Sequence, residues 1–190
     1  MGLVLSRLPE ADALLDRDPL ALVIGMVLDQ QVPLEKAFSS PWVLAERLGH
    51  VPDAAEIAGM DEDALVAIFS TPPALHRFPG SMAKRVQAMC QAVAEQYDND
   101  VTNVWTTAAD GKELLKRVAA LPGFGKQKAQ IFVALLGKQY GVDVPGWREA
   151  AGEFGPDGAD KSVADIVDAA SLGRVREYKK QMKAAARAKD

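Results

Sequence analysis

The sequence predicts an all-α protein, and three observations carry the prediction. No stretch alternates apolar and polar residues with the period of a half-buried strand. Apolar residues instead recur at helical spacing, or in runs too long and unpunctuated for a strand, as from Leu20 to Leu28. Residues that start and stop helices divide these runs: Asp18–Pro19, Asp61–Glu62–Asp63 and Asp110–Gly111 on one side, Gly49, Pro72–Pro73 and Pro122–Gly123 on the other.

In chain order, Asp18 is a cap candidate with Pro19 at the first helical position, and the apolar run behind it reads as a buried helix. That run ends in Asp29–Gln30–Gln31–Val32–Pro33, where Pro33 pushes Val32 out of the α region and leaves the two amides at a corner. Two readings of Gln30 and Gln31 stay open: capping of buried carbonyls, or reaching into a DNA groove in place of a displaced base. A second helix follows from Leu34 to Leu48, with Phe38, Trp42, Leu44 and Ala45 inward, Pro41 as a possible kink and Gly49 as its stop. Asp53–Ala54–Ala55–Glu56 has the form of a capping box and opens a short helix to Ala58. Asp61–Glu62–Asp63 opens another, with Leu65, Ile68 and Phe69 inside. After the loop from His76, Ser81 is the expected cap of a helix from Met82 to Tyr97. Lys84 and Arg85 stand near its start, where the helix dipole disfavours cations unless an anion docks there. A turn-rich break over Asp98–Asn103 precedes a helix from Lys112 to Leu121. The chain closes with loops rich in Gly and Pro, a helix start at Ser162–Asp165 and a basic helix from Arg174 to Lys189.

Composition narrows the class. At 190 residues, with 48% hydrophobic and 25% charged residues, the chain can bury a core and stay in solution. The net charge of −4 argues against uniform coating of nucleic acid and leaves local basic patches open. Residues 1–63 carry 12 acids against 4 bases, and residues 174–190 carry 7 bases against 2 acids. That tail is either a solvated helix end or a track along a phosphate backbone. The one cysteine, Cys90, cannot build a disulfide framework, a cysteine-based zinc site or a four-cysteine iron–sulfur cluster, and its Ala/Val/Met surroundings make it a buried thiol. No metal and no cofactor is expected. No secretory leader or membrane span is read, so the expected location is the cytoplasm, with no membrane partner.

The stretch Leu121–Pro122–Gly123–Phe124–Gly125–Lys126–Gln127–Lys128–Ala129 joins two helices through a tight Gly-x-Gly corner. Gly125 is expected in a backbone conformation closed to other residues. The first amides of a helix lack intrahelical partners and carry the positive end of its dipole. A phosphate is therefore expected on Gly123, Phe124, Gly125, Lys126, Gln127 and Lys128.

Three segments together resemble the helix-hairpin-helix DNA glycosylases of the HhH-GPD base-excision repair superfamily. They are the apolar helix from Asp18–Pro19 to Gln31, Lys84–Arg85–Val86, and the nonapeptide Leu121–Ala129, in matching order and spacing from about residue 18 to 148. The resemblance implies a two-lobed helical bundle: one domain over residues 1–190, with one lobe over 30–115 and a hairpin-containing lobe over 1–29 and 116–190. It implies a monomer acting on double-stranded DNA that contains a damaged base. The base is flipped out because its glycosidic bond is shielded in the stack. An acid beyond the hairpin helix then stabilises the oxocarbenium character that develops on the sugar. Asp143 is the best match to that acid, 16 positions beyond Gln127 and slightly short of the usual family spacing, with Asp157 and Asp165 as fallbacks. Its neighbours Val144–Pro145–Gly146 also depart from the family pattern. Lyase members carry a Lys at the position of Gln127, and Gln cannot form their Schiff base, so the implied activity is a monofunctional N-glycosylase. Tyr140 and Trp147 are the favoured aromatics for stacking on a flipped base, ahead of Trp42, Phe78 and Trp105. The alternative is a non-catalytic helix-hairpin-helix DNA-binding protein on the same scaffold. A third reading is an all-α interaction protein whose hairpin is structural.

Overall fold

A computed structural model describes residues 2–188, so Lys189 at the end of the expected basic helix lies outside them. Among the described residues there are eleven α-helices, two 3₁₀ turns and no strand. The protein is all-α.

The first helix, α1 (Pro9–Arg17), is one the sequence reading passed over. No side chain caps it, but Pro9 presets its first turn, Glu10 and Asp12 sit at the positive end of its dipole, and Ala11, Leu14 and Leu15 are buried. Helix α2 (Pro19–Leu28) starts as expected: the Asp18 carboxylate accepts from the Ala21 amide at 3.1 Å. Every residue from Leu20 to Leu28 is buried, so α2 is the central rod. Helices α3 (Leu34–Leu48) and α6 (Pro79–Gln96) pack against it, and α4 (Ala54–Gly59) and α5 (Glu62–Ser70) pack on α6. Helix α3 continues through Pro41 and stops at Gly49, whose φ is +80°. At the start of α4 only half of the expected capping box forms. Asp53 accepts from the Glu56 amide at 2.8 Å, while the Glu56 carboxylate turns instead to His50, 2.7 Å away.

Ser81 does not cap α6. The helix begins at Pro79, because proline has φ already set for a first turn and needs no amide partner there; Ser81 is left exposed within that turn. A short helix, α7 (Asn103–Thr106), closes the turn-rich break and buries Trp105. Helices α8 (Gly111–Ala120) and α9 (Lys126–Gln139) form the arms of the hairpin and pack on each other. Beyond α9 the chain runs through α10 (Trp147–Ala150) and two 3₁₀ turns, Gly152–Phe154 and Val163–Asp165, which lie against α9. The last helix, α11 (Ala169–Arg187), starts five residues before Arg174 because Asp168 and Ser171 cap each other's amides. Cys90 is buried, which raises its thiol pKa far above the ordinary range. No helix among the described residues is long and apolar enough to cross a membrane.

Candidate nucleic-acid interface

The corner between α8 and α9 is where four elements meet. Gly123 takes φ = +93°, the left-handed region that disfavours a side chain, and a Cβ there would stand 3.0 Å from Val27 of α2 and 3.3 Å from the Arg85 side chain of α6. Gly123 is thus the position that only glycine fits. Gly125 is not. Its φ of −92° and ψ of 178° are ordinary extended backbone, and a Cβ there would meet nothing within 4 Å. What Gly125 supplies is open space, not an unusual turn.

That space exposes amides. Gly125 is the N-cap residue of α9 and has no side chain to cap with, and Gly125, Lys126 and Gln127 are exposed. Their amides have no acceptor among the described residues. Three bare donors converge at the positive end of a 14-residue helix, the arrangement that holds an anion. Phe124 takes a different part. Its ring is buried against Phe132, with centroids 5.7 Å apart, and its amide donates to the Leu121 carbonyl at 3.1 Å.

Lys128 faces the other way. Its Nζ donates to the Met26 carbonyl at 2.7 Å, supplying a donor at the buried C-terminal end of α2, where carbonyls run out of helical partners. Burial lowers its pKa, and Asp29 offsets part of that effect. Lys128 therefore rivets the hairpin to α2, and Lys126 carries the exposed charge.

Beside the hairpin lies the corner that ends α2. Gln30 is spent on structure: its Nε2 donates to the Val27 carbonyl at 2.9 Å, and its Oε1 accepts from Arg85 at 3.1 Å. Gln31 is exposed and holds φ = +56°, uncommon for a residue with a Cβ. His76 fixes this corner. Its Nε2 lies 3.1 Å from the Leu28 carbonyl and 2.9 Å from the Gln30 carbonyl, so this nitrogen carries the proton. Its Nδ1 accepts from the Phe78 amide at 3.0 Å. Burial pushes the His76 pKa down, which keeps this tautomer neutral. Through His76 the backbone of Phe78, whose side chain is 42% exposed, is tied to the backbone of Gln30, the residue before Gln31. Of the basic pair on α6, Arg85 joins this cluster and Lys84 pairs with Glu62 at 2.9 Å.

The other expected site residues lie elsewhere. Asp143 is exposed at the rim of a groove of about 470 Å³ lined by Thr102, Trp105, Thr106 and Tyr140. It follows the C-terminal end of α9, close to where the Pro145 carbonyl accepts from the Gly111 amide at the start of α8. Both helices run from there to the Gly-x-Gly corner, and 14 residues of α9 span about 20 Å. Asp157 pairs with Arg148 at 2.9 Å, and Asp165 forms a buried pair with Lys138 at 2.7 Å. The Tyr140 hydroxyl donates to the Leu15 carbonyl at 3.1 Å, and burial, aided by Asp18 and Asp16, pushes its pKa up to about 12. Trp147 is buried over Gly137, where a Cβ would fall 2.3 Å from the indole. Both aromatics hold the far end of α9 together. Sequence reasoning gave no role to His76 or Asp29. The available signal for Asp29 is an acid and two amides directly after a wholly apolar helix, a pattern that also marks a plain helix end.

Two short helices around a Gly-x-Gly corner, with bare amides on the second helix and a rigid polar corner beside them, define a helix-hairpin-helix protein. The family model for HhH-GPD superfamily base excision DNA repair proteins matches residues 24–189, and the chain belongs to that superfamily. Its role is in base excision DNA repair, and DNA is the partner that the family implies. No curated protein and no solved structure matches the chain significantly.

Proposed function

We propose that this protein is a monofunctional DNA N-glycosylase that grips a phosphate of damaged duplex DNA with its hairpin. One observation carries the reading: the unpaired amides of Gly125, Lys126 and Gln127 open next to the corner that presents Gln31 and Phe78. A phosphate on the amides sets the register of the duplex. An exposed amide and an exposed ring then occupy the gap left by a base that has swung out. Release uses water, since Gln127 offers no amine to the sugar. Asp143 is the acid that the family resemblance nominates.

The test is a strand-cleavage screen, after alkali, over duplexes carrying alkylated, deaminated or oxidised bases. The reading predicts cleavage of at least one of them and no adduct trapped by borohydride. A robust borohydride adduct would overturn the monofunctional assignment. In the same assay, a large loss of release on Asp143→Asn supports its role, and unchanged release removes it. A second reading, a duplex-binding protein that releases no base, is favoured by the position of Asp143 at the opposite end of α9 from the hairpin. Salt-sensitive duplex binding with no cleavage of any substrate would decide for it.

A further inference from the structure

Helix α11 packs at its start and then leaves the body of the protein. Ser171, Leu172 and Val175 are buried, and every residue from Lys179 to Ala188 is exposed. The charge on the projecting part is one-sided. Residues 174–188 carry six bases against one acid, Glu177. At about 100° per residue, Arg176, Lys179, Lys180, Lys183 and Arg187 fall within an arc of about 100°, and Arg174 and Glu177 fall outside it. Arg176 is held by Glu35. The other four cations of the stripe have no carboxylate partner among the described residues, whereas Lys84, Lys138, Arg148, Lys161 and Arg174 each have one.

The stripe stands at the hairpin end of α2. The first turn of α11 lies by Asp16, just ahead of α2, and Arg176 and Lys179 lie beside Asp29, Val32 and Pro33, just past its end. Helix α11 thus follows α2 and projects past the end to which Lys128 ties the hairpin. Asp29 links the two sides. It is half-buried, and no donor bonds its carboxylate among the described residues. Burial raises its pKa, and Lys179 and Lys128 are the cations that oppose the rise.

We infer that the basic stripe of α11 is a second phosphate contact, which follows the backbone of the duplex whose register the hairpin sets. The inference rests on the proposed DNA face. Lys179, Lys183 and Arg187 recur every four residues, in steps of about 6 Å, and span about 12 Å. Phosphates of one strand are spaced about 3.4 Å along the duplex axis, so the stripe covers about four of them. Exposed Lys and Arg side chains suit contacts that position a duplex without reading its bases. Two other occupants fit less well. A lipid surface asks for an apolar face beside the charge, and the projecting part offers Met182 as its one large hydrophobic residue. A second copy would have to supply acids, and the acid-rich residues 1–63 already spend most of theirs inside the chain, as Asp12, Asp16, Asp53, Glu56 and Glu62 show.

The test measures duplex affinity against salt, with DNA carrying a tetrahydrofuran abasic analogue. The substituted positions are exposed, and glutamine keeps the helix propensity of lysine and arginine. Lys183→Gln is expected to lower the slope of log K against log salt by about 0.9, and the triple change Lys179→Gln, Lys183→Gln and Arg187→Gln by about 2.7, one phosphate for each cation. Arg174→Gln removes the same charge from the opposite face, nine residues before Lys183, and is expected to leave the slope alone. An Arg174→Gln effect as large as that of Lys183→Gln would overturn the inference, and so would a triple variant with the wild-type slope. In that last case, loss of salt-sensitive self-association or of binding to phosphatidylserine vesicles in the triple variant names the second copy or the lipid surface as the occupant. Gly125→Leu separates this contact from the hairpin grip. Weakened binding by Gly125→Leu beside a wild-type slope in the triple variant removes the α11 contact alone. No duplex binding by the wild-type chain removes the proposed DNA face and this contact with it.

Discussion

The two ends of α9 are built from different chemistry. At the N-terminal end Gly125 leaves the backbone bare, and Gly125, Lys126 and Gln127 present exposed amides with no acceptor among the described residues. At the C-terminal end the polar groups have partners inside the protein. Lys138 is buried between Asp165 and the Pro156 carbonyl, Gln139 donates to the Ala164 carbonyl at 2.8 Å, and Trp147 fills the space over Gly137. One helix therefore separates binding from packing along its length. The resemblance nominated residues at both ends, but only the hairpin end has unmet hydrogen-bonding capacity in a convergent geometry.

Substitutions at the far end should break the fold and spare the grip, and substitutions at the near end should do the reverse. The largest effect is expected at the buried pair. Asp165→Ala strands the Lys138 ammonium and should cost about 3–5 kcal/mol in urea or thermal unfolding. Lys128 tests the rivet between the ends. Lys128→Met removes the 2.7 Å bond to the Met26 carbonyl, which keeps only its 3.3 Å bond from the Asp29 amide, and should destabilise by about 1 kcal/mol. Lys126→Ala should leave stability alone and reduce the slope of log K against log salt by about 0.9 if it meets one phosphate. Gly125→Leu should cost stability no more than about 1 kcal/mol, the loss of a fair N-cap residue, because its backbone is ordinary and its surroundings empty. It should weaken duplex binding about tenfold or more, since hydrogen bonds to a charged group are each worth about 1.5–3 kcal/mol.

The smallest expected effect concerns His76. Its folded pKa is lowered, so the unfolded chain takes up its proton first as pH falls. The stability it contributes is fully present above the unfolded value of about 6.5 and declines as pH drops below it. Protonation at Nδ1 also removes the acceptor of the Phe78 amide. Unfolding curves at pH 7 and pH 5 should therefore differ, and His76→Gln should reduce the difference. Equal pH dependence in both proteins would contradict this role.

The helices were legible where the sequence carries a single dominant signal. Leu20–Leu28 is too apolar and too long to be anything but a buried helix, and Pro122–Gly123 breaks the chain where the structure turns. Competing signals were less legible. Pro79 and Ser81 both announce a helix start, and the preset φ of proline prevailed. Helix α1 was hidden because its acids read as a solvated face while Leu14 and Leu15 pack inward. In the hairpin, sequence located the corner and assigned the special backbone to the wrong glycine, because Gly123 and Gly125 differ only in what surrounds them. The direction of Lys128 depends on a partner 102 residues away, and the solitude of the Asp29 carboxylate depends on α11 folding over it. Neither fact has a local signature.

The central claim is that the bare amides beginning α9 hold DNA. Amide chemical shifts measured while a duplex with a tetrahydrofuran site is added test it most directly. The account predicts large, salt-sensitive shifts at Gly125, Lys126 and Gln127, and none at residues 140–146. Shifts centred on residues 140–147, with the hairpin amides unmoved, would contradict it.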